Sequence, residues 1–173
     1  WHHQDVVLKS ITAIGFRDAI DTMLELYDWE IHYAQLNMLD SHDMPRALWL
    51  LNGDKAALRL AVLCQMTMPG APCVYYGDEV GLAAGTDPYC REAFPWHQPE
   101  RWDQPLRQFY QSVIALRKAH SALRTGDFGF IYARGHTVAY RRRLAGQEVL
   151  VIFNAGKTPS RLTLLSSALA YSS

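Results

Sequence analysis

Asn37-Met38-Leu39-Asp40-Ser41-His42-Asp43-Met44-Pro45-Arg46 is the stretch whose reading decides the fold. The run Tyr33 to Leu39, which overlaps its start, is largely apolar and reads as a buried strand. A His-Asp pair at the exit of such a strand is where an α/β barrel places catalytic groups. Further on, Cys73-Val74-Tyr75-Tyr76-Gly77-Asp78-Glu79 repeats the arrangement, a short strand with a charged exit.

Helices separate and flank these two strands. Phe16 to Trp29 carries Phe16, Ile20, Met23, Leu24 and Tyr27 at helical spacing. Asn52-Gly53-Asp54 is a turn, and Asp54 suits the N-cap of a helix running to about Met68. That helix is apolar nearly all round, with Leu58, Leu60, Ala61, Val62 and Leu63, so it is expected to be buried. Pro69-Gly70-Ala71-Pro72 stops it. A long loop, Gly77 to about Asp103, follows the second strand, and loops of that length are often functional. Pro105 to Ala119 returns to helix, with Leu106, Phe109, Val113 and Leu116 on one face. Helix, strand, helix, strand, helix is the order of parallel β/α units.

After Gly126 the period changes. Phe128 to Tyr132, Thr137 to Arg143 and Glu148 to Asn154 read as strands, joined by turns at Arg134-Gly135-His136 and Ala145-Gly146-Gln147. A weaker strand is expected over Arg161 to Leu165. The class is therefore α/β plus all-β. Residues 1–123 thus read as parallel β/α units and residues 124–173 as an antiparallel β module.

The chain has 173 residues, fewer than the roughly 250 that a whole (β/α)8 barrel needs. Apolar residues make up 49% and charged residues 20%, an ordinary globular composition that argues against disorder. A formal net charge of zero argues against nucleic acid or an anionic membrane as partner. No apolar run reaches the roughly 18 residues of a membrane span. Cys64, Cys73 and Cys90 are odd in number and lack metal-site spacing, so reduced thiols are expected. His2-His3 has no further ligand near it in sequence and makes a poor metal site. Trp1-His2-His3-Gln4 lacks the make-up of a signal peptide and a starting methionine. The chain is read as part of a longer one, with a cytoplasmic setting.

Several motifs in one order then carry a resemblance. Asn37 to Arg46 resembles the strand-7 signature of the α-amylase family of glycoside hydrolases, in its neopullulanase, cyclomaltodextrinase and maltogenic amylase branch. Pro69 to Glu79 is similar to that family's strand 8. Asp87-Pro88-Tyr89-Cys90-Arg91-Glu92-Ala93-Phe94-Pro95-Trp96 resembles the sugar-contacting loop after it. Tyr110 to Leu123 is similar to the last barrel helix, and the β segment to the start of the C-terminal sandwich, so the resemblance implies that residues 1–123 are the last β/α units of an incomplete (β/α)8 barrel and residues 124–173 a partial antiparallel β-sandwich. Before residue 16 no motif is recognised.

The resemblance implies retaining hydrolysis, or transfer, on α-1,4-linked malto-oligosaccharides, starch or cyclodextrins. Asp43 matches the family's third carboxylate, a transition-state stabiliser that grips the reacting sugar. A fixed negative charge there strengthens its hold as the ring becomes cationic. The competing reading makes Asp43 an N-cap for a helix starting at Pro45. His42 either donates to the same sugar or is a core histidine bonded to a carbonyl. Asp87 and Arg91 match contacts to the next sugar, or form a surface ion pair. Arg46 and Tyr76 are the remaining sugar-binding candidates, whereas Tyr75 is expected to pack. Arg141-Arg142-Arg143 alternates between faces and reads as a solvated strand edge.

The nucleophile and general acid of a retaining enzyme have no counterpart here. Gly15-Phe16-Arg17-Asp18 imitates the nucleophile motif, but its Arg and Asp are adjacent and would face opposite sides of a strand. Asp18 is instead expected in the first turn of a helix. Glu79 is expected to be structural. The isolated chain is thus expected to be inactive. No cofactor is implied, and a calcium ion in the parent enzyme stays open. The partners expected are an α-glucan and either a second copy or a complementing barrel fragment. A rival reading is a non-catalytic sugar-binding or oligomer-assembly module.

Overall fold

The computed structural model describes residues 8–163. The elements run α1 (Ala13–Leu24), α2 (Trp29–Ala34), β1 (Leu36–Met38), α3 (Ala47–Leu50), α4 (Lys55–Thr67) and β2 (Ala71–Cys73). After a long loop come α5 (Gln104–Ala119), α6 (Ser121–Thr125), β3 (Asp127–Arg134), β4 (Thr137–Leu144) and β5 (Gln147–Asn154).

β1 and β2 pair in parallel, Leu36 opposite Ala71 and Met38 opposite Cys73, with α4 in the crossover. This is the parallel β/α order expected. The strands are shorter than expected. Tyr33 and Ala34 close α2 instead, because the chain breaks after Leu24 and restarts at Asp28. β2 ends at Cys73 because β1 has already turned away into the Asp40 loop, so Val74 to Tyr76 have no ladder to join.

Helix α4 follows its sequence closely. Asp54 Oδ1 accepts from the amides of Ala56 and Ala57 at 2.9 and 3.0 Å. Its apolar circumference is explained by two cores that share it. On one side Leu58, Val62 and Met66 pack with Ala47, Leu48, Leu106, Tyr110 and Val113. On the other, Leu60, Leu63 and Cys64 meet Ala13, Met68 and the inner face of the C-terminal sheet: Val138, Tyr140, Val151 and Phe153.

That sheet is antiparallel in the order β3-β4-β5, with a bulge between Phe130 and Tyr132. Among the described residues it is a single layer, covered by α1 and α4 instead of by a second sheet. Arg161 to Thr163 are not in a strand, and Leu164 and Leu165 lie outside the described residues.

One sequence expectation fails here. Arg142 is not a solvated edge residue; it is fully buried. It follows Val138 and Tyr140 at period two, and so shares their inward face. Its guanidinium donates to the carbonyls of Thr67, Leu123, Gly126 and Asp127 at 2.7–3.0 Å. Burial pushes it down to about 10, with Arg117 adding repulsion. Arg117, on α5, likewise donates to the carbonyls of Met66, Met68 and Gly70. The two cations satisfy the end of α4 and the turn after it, where carbonyls have no helical partner.

Asp18 lies in α1, whose first turn holds no acid, so it sits deeper in the helix than expected. It pairs with Arg17 at 2.7 Å on the surface.

Candidate active-site cluster

The loop from Asp40 to Ala47 leaves β1 and returns as α3. Asp40 closes it: Oδ2 accepts from the Ala47 amide at 2.6 Å. The N-cap of α3 is Arg46, so Asp43 is not its cap, and Asp40 serves the first helical amide from across the loop. The Arg46 amide donates to Ala84 O at 2.9 Å, tying the same loop to the chain beyond β2.

Released from capping, Asp43 faces solvent with a side chain 58% exposed. His42 Nε2 lies 3.1 Å from Asp43 Oδ2 and Arg91 Nη2 lies 3.3 Å from Asp43 Oδ1. Arg91 Nε also reaches Asp87 Oδ1 at 2.9 Å and donates to His42 O at 3.1 Å. Cys90 Sγ donates to the same carbonyl at 3.3 Å. His42, Asp43, Asp87 and Arg91 thus form one cluster, although Asp43 and Arg91 are 48 positions apart in sequence. His42 is exposed and paired with Asp43, so the core-histidine alternative does not hold. The Asp87–Arg91 ion pair is present, and Arg91 bridges onward from it to Asp43. Such exposed pairs contribute little stability, and they leave these groups accessible.

Tyr76 is partly exposed, and its hydroxyl donates to Glu92 O at 2.8 Å, anchoring the loop that carries Phe94 and Trp96. Tyr75 donates to Cys90 O at 3.3 Å, and burial pushes its phenol up to about 12, with Tyr76 adding to the shift. The loop from Gly77 to Asp103 is ordered by short turns at Asp78–Val80, Tyr89–Arg91 and Pro99–Arg101. Glu79 is structural: Oε2 accepts from the Gly77 amide at 2.8 Å.

Arg46 departs from expectation. It is wholly buried, donating from Nη1 to Tyr76 O at 2.8 Å and to Asp78 Oδ1 at 2.9 Å. Its guanidinium carbon lies 4.5 and 5.0 Å from the ring centres of Tyr75 and Tyr76. It is a strut between the two strand exits and has no route to a sugar. Asp78, its partner, was not singled out from sequence. Burial first, and Asp40 second, push the Asp78 carboxyl up to about 9. The only sequence signal was its place after a strand, which it shares with Glu79.

Among the described residues no three His, Cys, Asp or Glu side chains gather as metal ligands. His2 and His3 lie outside the described residues. Cys64, Cys73 and Cys90 are free thiols. No helix among the described residues is long and apolar enough to cross a membrane.

Known proteins are similar to this chain over most of its length. A cyclomaltodextrinase from a Bacillus species is 45% identical over 156 residues, 89% of this chain and 28% of that protein. Neopullulanase 2 of Thermoactinomyces vulgaris is 39% identical over 131 residues, 75% of this chain and 22% of that protein. The solved debranching enzyme of Nostoc punctiforme superposes with a TM-score of 0.83 at 39% identity, covering 87% of this chain and 31% of that one. The chain thus spans less than a third of the length of these relatives. The alpha amylase, catalytic domain family matches residues 3–126, so the stretch before residue 16 that carried no recognised motif is family sequence too. With that match over most of its length, and its His42–Asp43 pair at a parallel strand exit, the chain belongs to the α-amylase catalytic-domain family.

Proposed function

We propose that this chain carries the late strands of an α-glucan hydrolase of the cyclomaltodextrinase and neopullulanase type, acting on malto-oligosaccharides, starch or cyclodextrins. Residues 1–123 belong to the barrel and 124–173 begin its C-terminal β-sandwich. The family match ending at residue 126 and the change to antiparallel strands at Asp127 support that division.

Asp43 steadies the sugar ring as it gains positive charge. The observation that carries this reading is the solvent-facing Asp43 carboxylate held from both sides by His42 and Arg91. Each of its oxygens has one partner and room for a sugar hydroxyl. A preorganised charge of this kind costs no rearrangement as the cation forms. His42 donates to the same sugar, Asp87 and Arg91 hold the next one, and Tyr76 offers a ring face. One carboxylate does not complete a retaining mechanism, which needs a nucleophile and an acid flanking the bond. The chain alone therefore binds and does not hydrolyse. Its free thiols favour a reducing, cytoplasmic setting.

Calorimetry of the chain with maltose and with cyclodextrin tests this. Binding that Asp43→Asn abolishes is the expected result. Binding indifferent to Asp43→Asn, or hydrolysis by the chain alone, overturns it.

The second reading, an assembly module, is favoured by the open strand pair. Leu36 and Met38 on β1 are 62% and 54% exposed, and both edges of the pair are free among the described residues. Such edges pair with a second copy or a complementing barrel fragment. A stable oligomer by light scattering, with no sugar bound, selects this reading.

A further inference from the structure

The buried pocket between the two strand exits does not balance in charge as two ionised acids and one base. Asp40 and Asp78 are 3% and 5% exposed, and Arg46 is 0% exposed. Ionised, the three carry a net negative charge in a region shielded from water, which is strongly unfavourable. Their hydrogen bonds do not balance either. Asp40 Oδ2 is satisfied by the Ala47 amide, but Oδ1 is buried and has no donor. Arg46 Nη1 is committed to Asp78 Oδ1 and Tyr76 O, while Nε and Nη2 have no hydrogen-bond partner. Neither of those nitrogens serves Asp40.

We infer that Asp78 is carried as a neutral carboxylic acid whose proton is donated to Asp40 Oδ1, and that the resulting Asp40–Asp78–Arg46 clamp, with no net charge, fixes the turn presenting His42 and Asp43. One proton removes the charge excess and gives Asp40 Oδ1 its missing donor. Asp40 and Arg46 stand at the two ends of the turn, so the clamp holds both ends against the exit of β2. Asp78 is a positioning residue, acting through Arg46 and Asp40 on the groups that would meet sugar.

The surrounding groups agree. The Asp78 carboxyl is pushed up by burial and by Asp40, against the opposing pull of Arg46. Tyr110, from α5, is buried and feels Asp78, Asp40 and Glu79, all of which push its phenol upward. Glu79 accepts from the Gly77 amide and adds negative charge nearby. Tyr75 and Tyr76 present rings to Arg46. Arg46 is the cation the pocket contains, and it has a single charge.

The purpose assigned to the clamp rests on the sugar-contact reading, but the proton does not, so the two fail separately. Carbon-13 spectra of the aspartate carboxyls in the 173-residue chain read the proton directly, with Asp78→Asn supplying the assignment. The expected result is one aspartate signal still in its protonated position at neutral pH and titrating in the alkaline range. Every aspartate signal titrating below about pH 5 overturns the inference. Stability supplies the second reading. With the folded value above the ordinary one, stability is full at acid pH and falls as pH rises towards the folded value. Unfolding of the wild type should therefore become easier by up to about tenfold per pH unit across that window. Asp78→Asn keeps a neutral donor and should lose this slope while leaving the Asp43 amide signal in place. Asp78→Ala should displace that signal. An unchanged slope in Asp78→Asn, or equal displacement in both variants, overturns the clamp. If neither variant folds, the wild-type spectrum decides.

Discussion

Arg142→Ala should separate the C-terminal sheet from the α/β part more effectively than any change on the sheet's outer face. The guanidinium makes four hydrogen bonds, to Thr67 O at 2.7 Å, Gly126 O at 2.8 Å, Leu123 O at 2.9 Å and Asp127 O at 3.0 Å. These acceptors come from the end of α4, from α6 and from the start of β3. Each bond from a charged donor is worth about 1.5–3 kcal/mol taken singly. Their sum overstates the loss, because bonds sharing one side chain are not additive. A buried carbonyl left without its donor costs about 1–3 kcal/mol, and about 4 kcal/mol for the whole fan is the value we expect here. For a chain of this size that is a fall of roughly 8–16 °C in Tm. The internal control is Arg143→Ala. Arg143 meets Asp127 Oδ2 at 3.4 Å near the surface, a contact worth about 0–1 kcal/mol. Urea unfolding followed by circular dichroism measures both. Equal costs for the two variants would show that the carbonyl fan is not what joins the sheet to the helices. Arg142→Lys should fall between them, since one ammonium cannot reach all four oxygens.

Gly70→Ala should destabilise by about 1–3 kcal/mol, because φ is +109° and the new Cβ would lie 2.9 Å from Gln35 O. Gly129→Ala, with nothing within 4 Å, is the control, and thermal melts that fail to separate the two refute the assignment. Asp103 is held below the ordinary carboxylate range, first by Lys55 at 2.6 Å, and it also caps α5 through the Leu106 amide. Its contribution is present above the unfolded value and disappears as pH falls through the folded one. Asp103→Asn should therefore cost stability at neutral pH and little at strongly acid pH; a constant difference in acid titrations excludes the linkage. Ellman's reagent should label the exposed Cys73 well before Cys64, whose thiol burial pushes up to about 11, and before the fully buried Cys90. Comparable rates for all three in the native chain would contradict this packing.

Local signals carried the parts of the fold that sequence disclosed. Asp54 caps α4, Pro69-Gly70 ends it, and period-two runs with glycine turns define β3 to β5. Breaks set by distant partners were not legible. The interruption between α1 and α2 and the early end of β2 depend on where neighbouring segments run out. Arg142 shows the limit well. Alternation places it beside Tyr140, but only the carbonyls gathered by α4 and α6 make a buried cation tolerable there. In the site, motif resemblance joined His42 and Asp43 to Asp87 and Arg91 across a separation that no local pattern spans. The Asp40–Asp78–Arg46 pocket was missed because its members look like ordinary polar loop residues until burial reveals them.

The chain therefore has finished and unfinished surfaces, and its candidate site lies where they meet. Around α4, two cores close and two buried arginines satisfy the loose carbonyls, so the helices and the antiparallel sheet brace one another. β1 and β2 are different. Two parallel strands are marginal alone, and parallel sheets are normally covered on both faces. Here Leu36, Met38 and Cys73 stay exposed. Side-chain ties across loops hold the turn that presents His42 and Asp43: Asp40 to Ala47, Arg46 to Asp78, and Arg91 to His42. Those ties lie in the loops that leave β1 and β2. A carboxylate positioned that way keeps its aim without a closed barrel, which is why sugar binding at Asp43 can be tested apart from hydrolysis.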